Sequence, residues 1–599
     1  MSRPLERAHM PEMRPNRAVP AFAVWILGVL ALAPLLWACR GAPLGTAVAD
    51  DYFFLADRAF GAFDPLSSMG VAYYWRPVSR QLYFGVVGPF LVAAPWSAVL
   101  LHAALLVALF ALLHSLFRRS FSAPVALAIA AFPLISEPAR ALLTWPSGAQ
   151  YLLPAVLGAL ALREAIGGRL WSSMLAALGA VLSNETAVLV LPLLPMAAAR
   201  GPGARAPARQ WIVGVAIVAL VWALGYLAAM RHGVRLPAGI DGGPPWTQLP
   251  ALGAHALAAA LNLEDLPRPL VTTFAVAHAS VLAIAAVLLM RRAPRERLGS
   301  RTGIVLGGAG WFVVATLPLT FLLFDWNGWR AWLGAIGLGV AATAVLGLAA
   351  PALAWAFVAL RLAALLLAPP APAIVTSEPP ATDSKVSFAR LVRWQRTVGS
   401  THDALAAAHP RLPRGAAVRY WSMPRGALLG FQDSLAVQVW YRDPALGWER
   451  FGGAAGLTQP IDAMVEYLDG AAWPAVVIEP AAIAAFQRAG LAMRGGRARE
   501  ADSLLAVAER SHRLDRGPFR AAVELNRGYA ALDLGDATRA EALARASLAL
   551  DPTAANAWAF LAELAMRRND RAAALDALEH CFELDPRNPA GLRLAAALR

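Results

Sequence analysis

Two adjacent carboxylates, Asp50 and Asp51, begin a polar stretch that runs to Phe84 between two apolar segments and closes with Tyr74-Trp75-Arg76-Pro77. A carboxylate at a membrane face can take a proton from a hydroxyl, and an arginine returned to the same face can grip a phosphate through two parallel N–H donors. Together they suit transfer of a sugar from a lipid phosphate. Inversion at the sugar requires a base opposite the departing group, and a phosphate leaves without a general acid if a cation or metal steadies its growing charge.

Three further groupings carry residue types of the same kind. Pro133-Leu134-Ile135-Ser136-Glu137-Pro138 is followed by Thr144-Trp145-Pro146-Ser147-Gly148-Ala149-Gln150; Glu137 is either a solvated turn residue or part of a site. Ser183-Asn184-Glu185-Thr186 interrupts a long apolar run, where a glutamate is expensive and seldom idle. Phe324-Asp325-Trp326-Asn327-Gly328-Trp329-Arg330 opens another run, and Arg330 either anchors a helix at the headgroup layer beside Trp329 and Trp332 or holds a phosphate. His102, His255 and His278 lie on apolar runs without metal-ligand spacing.

The chain has 599 residues, 58% hydrophobic and 15% charged, with a mean hydropathy of +0.51. That composition belongs to an integral membrane protein. The formal charge of +14 comes largely from arginines in short loops and the C-terminal third, and no basic patch interleaved with aromatics points to nucleic acid. The two cysteines, Cys39 and Cys581, support neither a disulfide framework nor a metal site. No cofactor can be inferred, and a divalent metal, though compatible with the chemistry, has no ligand set behind it.

About twenty apolar residues cross a bilayer as a helix. Candidate runs are Pro20–Cys39, Trp96–Phe117, Ala123–Leu134, Ala149–Leu162, Leu170–Met196, Trp211–Met230, Leu270–Met290, Gly303–Phe324, Trp332–Leu348 and Ala350–Ala368. The first follows four arginines and resembles a signal peptide, but the many later runs favour a retained anchor. Arginine-rich loops belong in the cytoplasm. Strict alternation puts Arg200, Arg205 and Arg209 on the wrong side, and so also Arg291 to Arg301. Splitting Leu170–Met196 into two half-spans at Ser183-Asn184-Glu185 corrects both. The expectation is therefore 11 membrane segments in a plasma (inner) membrane, N-terminus cytoplasmic, with Asp50, Asp51, Arg76, Glu137, Trp145, Glu185 and Arg330 gathered on the external face.

Residues 1–19 read as a cytoplasmic segment, 20–368 as the membrane domain with an external loop at 40–95, and 369–389 as a Pro-rich joint. Residues 390–480 read as a small external α/β domain, with Ala417–Trp421 and Ala436–Tyr441 as alternating apolar segments. From 481 to 599 the pattern is helical and repeats: Leu550-Asp551-Pro552 recurs as Leu584-Asp585-Pro586, 34 residues on, the tetratricopeptide period. The fold class is mainly α, a polytopic helical membrane protein with a small α/β domain and a terminal helical repeat array. Such arrays present a concave surface to a peptide or protein.

By pattern, DDYFFL followed by YWRPVSRQLYF resembles the first external loop of the GT-C membrane glycosyltransferases, which use polyprenyl-phosphate-linked sugars. The order of the later groupings, ending in repeats, resembles bacterial relatives of the transmembrane O-mannosyltransferases that carry tetratricopeptide repeats. The resemblance implies Asp50 as the base, with Asp51 beside it or positioning the acceptor, and Arg76, Glu137, Trp145, Glu185 and Arg330 as substrate-binding residues. Ser183-Asn184-Glu185-Thr186 is similar to the family's Ser-Lys-Glu-Thr, with Asn184 in place of the lysine, which removes one cation. The function it implies is transfer of a sugar to a protein or envelope-glycan acceptor at the periplasmic face. The rival classes are a scaffold that uses the repeats as its working surface, and a transporter with Glu137 and Glu185 as proton or ion relays. A transporter would call for an internal repeat of the membrane half, and none is evident in the sequence.

Overall fold

The computed structural model describes residues 20–71, 73–200, 207–235, 246–320, 326–378, 386–452 and 455–598. The N-terminal arginines before residue 20, Arg205, Asp325, Pro379 and Pro380 lie outside the described residues. The chain is mainly helical with one small sheet. Among the described residues, six helices are long and apolar enough to cross a membrane: Trp96–Phe117, Pro146–Ile166, Ala208–Arg231, Arg268–Leu289, Thr302–Thr320 and Gly328–Ala349. Shorter apolar helices occupy Phe22–Ala38, Leu170–Val181 and Pro351–Leu367.

Burial divides these helices into two kinds. Gly328–Ala349 runs through the middle of the bundle, whereas Ala208–Arg231 and Arg268–Leu289 leave Ile212, Leu220, Leu224, Val276, Ile284 and Val287 exposed. So much bare aliphatic surface on two long helices calls for lipid around it.

The run Leu170–Met196 is broken where its polar triplet falls. The helix Leu170–Val181 stops, Asn184 turns extended, and a short 3₁₀ helix Glu185–Val190 leads into Leu193–Arg200. Asn184 Oδ1 accepts from the Thr186 amide at 3.0 Å and so caps the new turn. The third apolar run also stops short, at Ala123–Ala131. Beyond it residues 130–150 are buried almost without a break through the helix Pro138–Thr144 and the 3₁₀ turn Pro146–Gly148, forming the spine of the membrane half.

Residues 40–95, read as an external loop, hold two helices, Asp50–Phe60 and Tyr83–Leu91, with a short π-helical turn at Val78–Leu82 leading into the second. Asp50 and Asp51 form the first turn of theirs, where the helix dipole favours negative charge, and Arg58 sits in its last.

The sheet has the order β2-β1-β3-β4, with β1 Ala417–Trp421, β2 Gly447–Arg450, β3 Ala463–Tyr467 and β4 Ala475–Val477. β1 is parallel to β2 and β3, and β4 antiparallel to β3. The segment Ala436–Tyr441 is not extended but helical, as Leu435–Tyr441. Its apolar residues fit either period, and packing decides: Trp440 lies edge-on to Tyr52 at 6.1 Å and donates from Nε1 to its hydroxyl at 3.0 Å. The joint before the domain is also packed, since Val375 bonds Ala471 and Glu378 pairs with Arg390 and Arg393.

Three helix pairs follow: Pro480–Arg494 with Ala498–Ser511, Pro518–Asp533 with Ala537–Leu550, and Ala555–Arg567 with Arg571–Leu584. Asp536 and Asp570, at the repeat spacing, cap equivalent helices by accepting from Arg539 and Ala573 amides. Gly528 is small by necessity, because a Cβ there would meet Phe560 at 3.0 Å and the Ala540 carbonyl at 3.2 Å.

Candidate active site

Residues from six separate stretches of chain line one cleft of about 810 Å³. Its walls include Asp50, Arg76, Trp145, Glu185 and Arg330. Five of the seven residues singled out in the sequence thus share one space, although up to 280 positions separate them.

Asp50 is the first residue of the Asp50–Phe60 helix, and the preceding residue, Ala49, has φ 53°. The Ala49 amide donates to the Gly430 carbonyl at 2.9 Å, so the soluble domain fixes the turn that presents Asp50. Asp51 points elsewhere. It is fully buried, with Oδ2 accepting from the Val48 amide at 2.8 Å and Oδ1 lying 2.5 Å from Ser147 Oγ. Burial pushes its carboxyl up to about 8, against the opposing pull of those two hydrogen bonds. A group so held ties the loop to the 146–148 turn and does not line the cleft.

Arg76 directs its fork at two partners. Nε and NH2 donate to Glu185 Oε2 and Oε1 at 2.8 and 2.5 Å, NH1 donates to Gln150 Oε1 at 2.9 Å, and the Tyr74 ring lies 4.4 Å from the guanidinium. Arg80, not anticipated from sequence, donates from Nε to the same Gln150 oxygen at 3.1 Å and from NH1 to the Tyr74 carbonyl at 2.7 Å. Asn184, where the resembled family has lysine, donates to the Gln150 carbonyl at 3.1 Å. Gln150 is therefore the hub that spaces the two guanidiniums. Trp145 meets Trp329 edge-on at 5.5 Å, and Trp329 stands next to Arg330 on the 3₁₀ turn Gly328–Ala331.

Glu137 is not in the cleft. Its amide donates to Asn262 Oδ1 at 2.8 Å, its Oε2 accepts from the Asp265 amide at 3.3 Å, and burial followed by the charges of Asp265 and Glu264 holds its carboxyl well above the usual range. The same Asn262 donates to the carbonyls of Ile135 and Arg361. Glu137 therefore belongs to a buried polar knot that satisfies the broken backbone between Ala131 and Pro138, so it is neither solvated nor part of the cleft.

The roof of the cleft was not legible in the sequence at all. Arg390, Leu391 and Trp394 of the helix Phe388–Ala408, with Leu429 and Gln432, close it from the soluble domain. Gln395 Nε2 secures that helix by donating to the carbonyls of Thr46 and Thr144 at 3.1 and 2.9 Å.

Among the described residues the lining carries four arginines, Arg76, Arg80, Arg330 and Arg390, against two carboxylates, Asp50 and Glu185; Glu185 is committed to Arg76 and Arg390 to Glu378, which leaves the cleft net positive by one charge. Such a balance selects an anionic ligand, and Trp145, Trp329 and Trp394 offer flat apolar faces beside it. Among the described residues no three His, Cys, Asp or Glu are placed to hold a metal ion.

One turn deeper, the same elements line a second cavity of about 1,100 Å³. Pro154 and Ala155 follow Gln150 and Tyr151, Ala187 and Val190 follow Glu185 and Thr186, and Leu333 follows Arg330. Some of the same elements thus line both a polar cleft and an apolar chamber. No family model matches this chain, and no curated protein matches it in sequence.

Proposed function

We propose that the chain is a membrane glycosyltransferase of the GT-C kind, which moves a sugar from a polyprenyl-phosphate donor to an acceptor hydroxyl at the external face with inversion. The observation that carries this reading is the excess of arginine around a cleft that also holds Asp50 and is lined by some of the same elements as an apolar chamber. A donor with an anionic, sugar-bearing head and an isoprenoid tail has that polarity. In this mechanism Asp50 takes the acceptor proton as the hydroxyl oxygen bonds to the sugar carbon, the bond from that carbon to the phosphate oxygen breaks, and the arginines stabilise the charge left on the phosphate. Arg330, placed by its 3₁₀ turn, meets the phosphate, while the Arg76–Glu185 pair keeps its shape. By the positive-inside rule, the chamber's arginine-rich end faces the cytoplasm and the cleft faces outward.

Identifying the lipid that co-purifies with the full-length protein tests the reading most directly. A polyprenyl phosphate or its glycosylated form, lost in Arg330→Ala, is the expected result; a preparation that contains none and does not take up added donor would sink it.

The helix pairs after residue 480 act as the acceptor-recruiting surface, in keeping with their tetratricopeptide-like period. Removing residues 482–599 is expected to lower transfer to the native protein or envelope-glycan acceptor while donor binding persists. Loss of both would assign the array to folding instead.

A further inference from the structure

The apolar chamber has a second polar end. Every charged side chain in its lining is there: Arg119 after the helix Trp96–Phe117, Arg200 at the end of Leu193–Arg200, and Arg301 just before Thr302–Thr316. Ser120 and Ser300 stand with them, and from there to the cleft the chamber wall is aliphatic, aromatic or glycine. The three arginines come from three loops, yet they meet. Arg301 Nε donates to the Ser120 carbonyl at 2.9 Å, next to Arg119, and a Cβ on Gly303 would come within 3.2 Å of Arg200 NH2.

Among the described residues none of these arginines has a carboxylate within ion-pair distance. The acidic residues at this end are otherwise engaged: Glu164 with Arg163 and Arg169, Glu296 with Arg292. Arginines that merely snorkel would need no chamber behind them. Here about 1,100 Å³ of apolar space opens at their feet, and Gly307 lines it with nothing within 4 Å of where a Cβ would sit.

We infer that this end is a binding site for an anionic phospholipid of the cytoplasmic leaflet, with its phosphate on Arg119, Arg200 and Arg301 and its acyl chains in the part of the chamber next to them. Charge complementarity chooses the occupant: a cluster of unpaired guanidiniums between membrane helices on the inner side selects an anionic headgroup, and the aliphatic wall selects its chains. The lipid enters from the end opposite to the polyprenyl donor. The site depends on the membrane placement alone, not on the glycosyltransferase reading.

Native mass spectrometry of the full chain, titrated with phosphatidylglycerol or with phosphatidylcholine of the same chains, tests it. The wild type is expected to prefer phosphatidylglycerol by about a hundredfold, since each basic residue adds about fivefold at an anionic surface. Arg119→Gln/Arg200→Gln/Arg301→Gln should lose that preference and leave polyprenyl-phosphate binding intact. Gly307→Leu, which fills the chamber and keeps the arginines, should weaken both phospholipids and leaves the test standing if the triple variant does not fold. Equal binding of the two lipids by the wild type, or a triple variant that still prefers phosphatidylglycerol, overturns the proposal and leaves the arginines as topology signals only. Failure of donor binding with the phospholipid preference preserved would count against the enzyme reading and not against this site.

Discussion

Asp50→Asn is expected to lower turnover by about a hundredfold to ten-thousandfold, the range associated with loss of a positioned general base. The substitution keeps the shape and much of the hydrogen bonding of the side chain but removes its basicity. Donor affinity should hold or rise slightly, because a carboxylate beside a lipid phosphate repels it. The built-in control is Asp51→Asn. Asp51 is sealed against Ser147 and Val48 and does not line the cleft, so an amide of the same shape there should change turnover little. Single-turnover measurements with purified, lipid-supplied protein separate the two. Asp50→Asn at near-normal turnover would remove Asp50 as the base, and if Asp51→Asn were also active, the reading of the cleft as a catalytic centre would fall with it.

The second large effect concerns Arg76 and Glu185. Arg76→Ala leaves the Glu185 carboxylate without its partner, and breaking a buried pair in this way costs about 3–5 kcal/mol. Glu185 is 29% exposed toward the cleft, so water screens part of the loss and the lower end, about 3 kcal/mol, is expected. Thermal unfolding in detergent should register it as a clear drop in the transition. The double variant Arg76→Gln/Glu185→Gln removes both charges and should regain most of that stability. Donor binding then discriminates: a pair that only braces the fold would see binding return with stability, whereas an Arg76 that also faces the phosphate would leave it impaired. Glu185→Gln alone should damage stability less than Arg76→Ala, because the freed guanidinium keeps Gln150 and the cleft water as partners.

Local chemistry made part of this architecture readable in advance. Ser183-Asn184-Glu185 had to break a helix, because three polar residues in an apolar run demand partners, and they find them in a cap and in Arg76. The repeat spacing in the last helices was equally open to reading, since caps and small residues recur there at fixed intervals. Glu137 was harder. A glutamate at a turn looks the same in sequence whether it faces a cleft or satisfies its own broken backbone, and only the arrival of Asn262 from over 100 residues away decides. The helix at Leu435–Tyr441 was hidden for a related reason: six apolar-rich residues match both periods, and Tyr52 settles the matter from another part of the chain. Gln150 left a fainter signal, a lone amide opening a long apolar helix. Arg80 repeats Arg76 one helical turn on, a spacing that would have placed both on one face. Arg390 and Gln432 left none, since nothing local marks a residue of one domain as the lid of another.

That lid has a consequence in time. The floor and walls of the cleft are complete once the ribosome has passed residue 368, but Gln432 is 64 residues further on. At about 5–20 residues per second, a nascent chain spends roughly 3–13 s with its membrane half inserted and its cleft uncovered. During that interval Ala49 lacks the Gly430 carbonyl that fixes the turn before Asp50, so the proposed base is not yet aimed. On the proposed reading, the newborn protein would sit among donor lipids without consuming them until the α/β domain has folded onto the cleft.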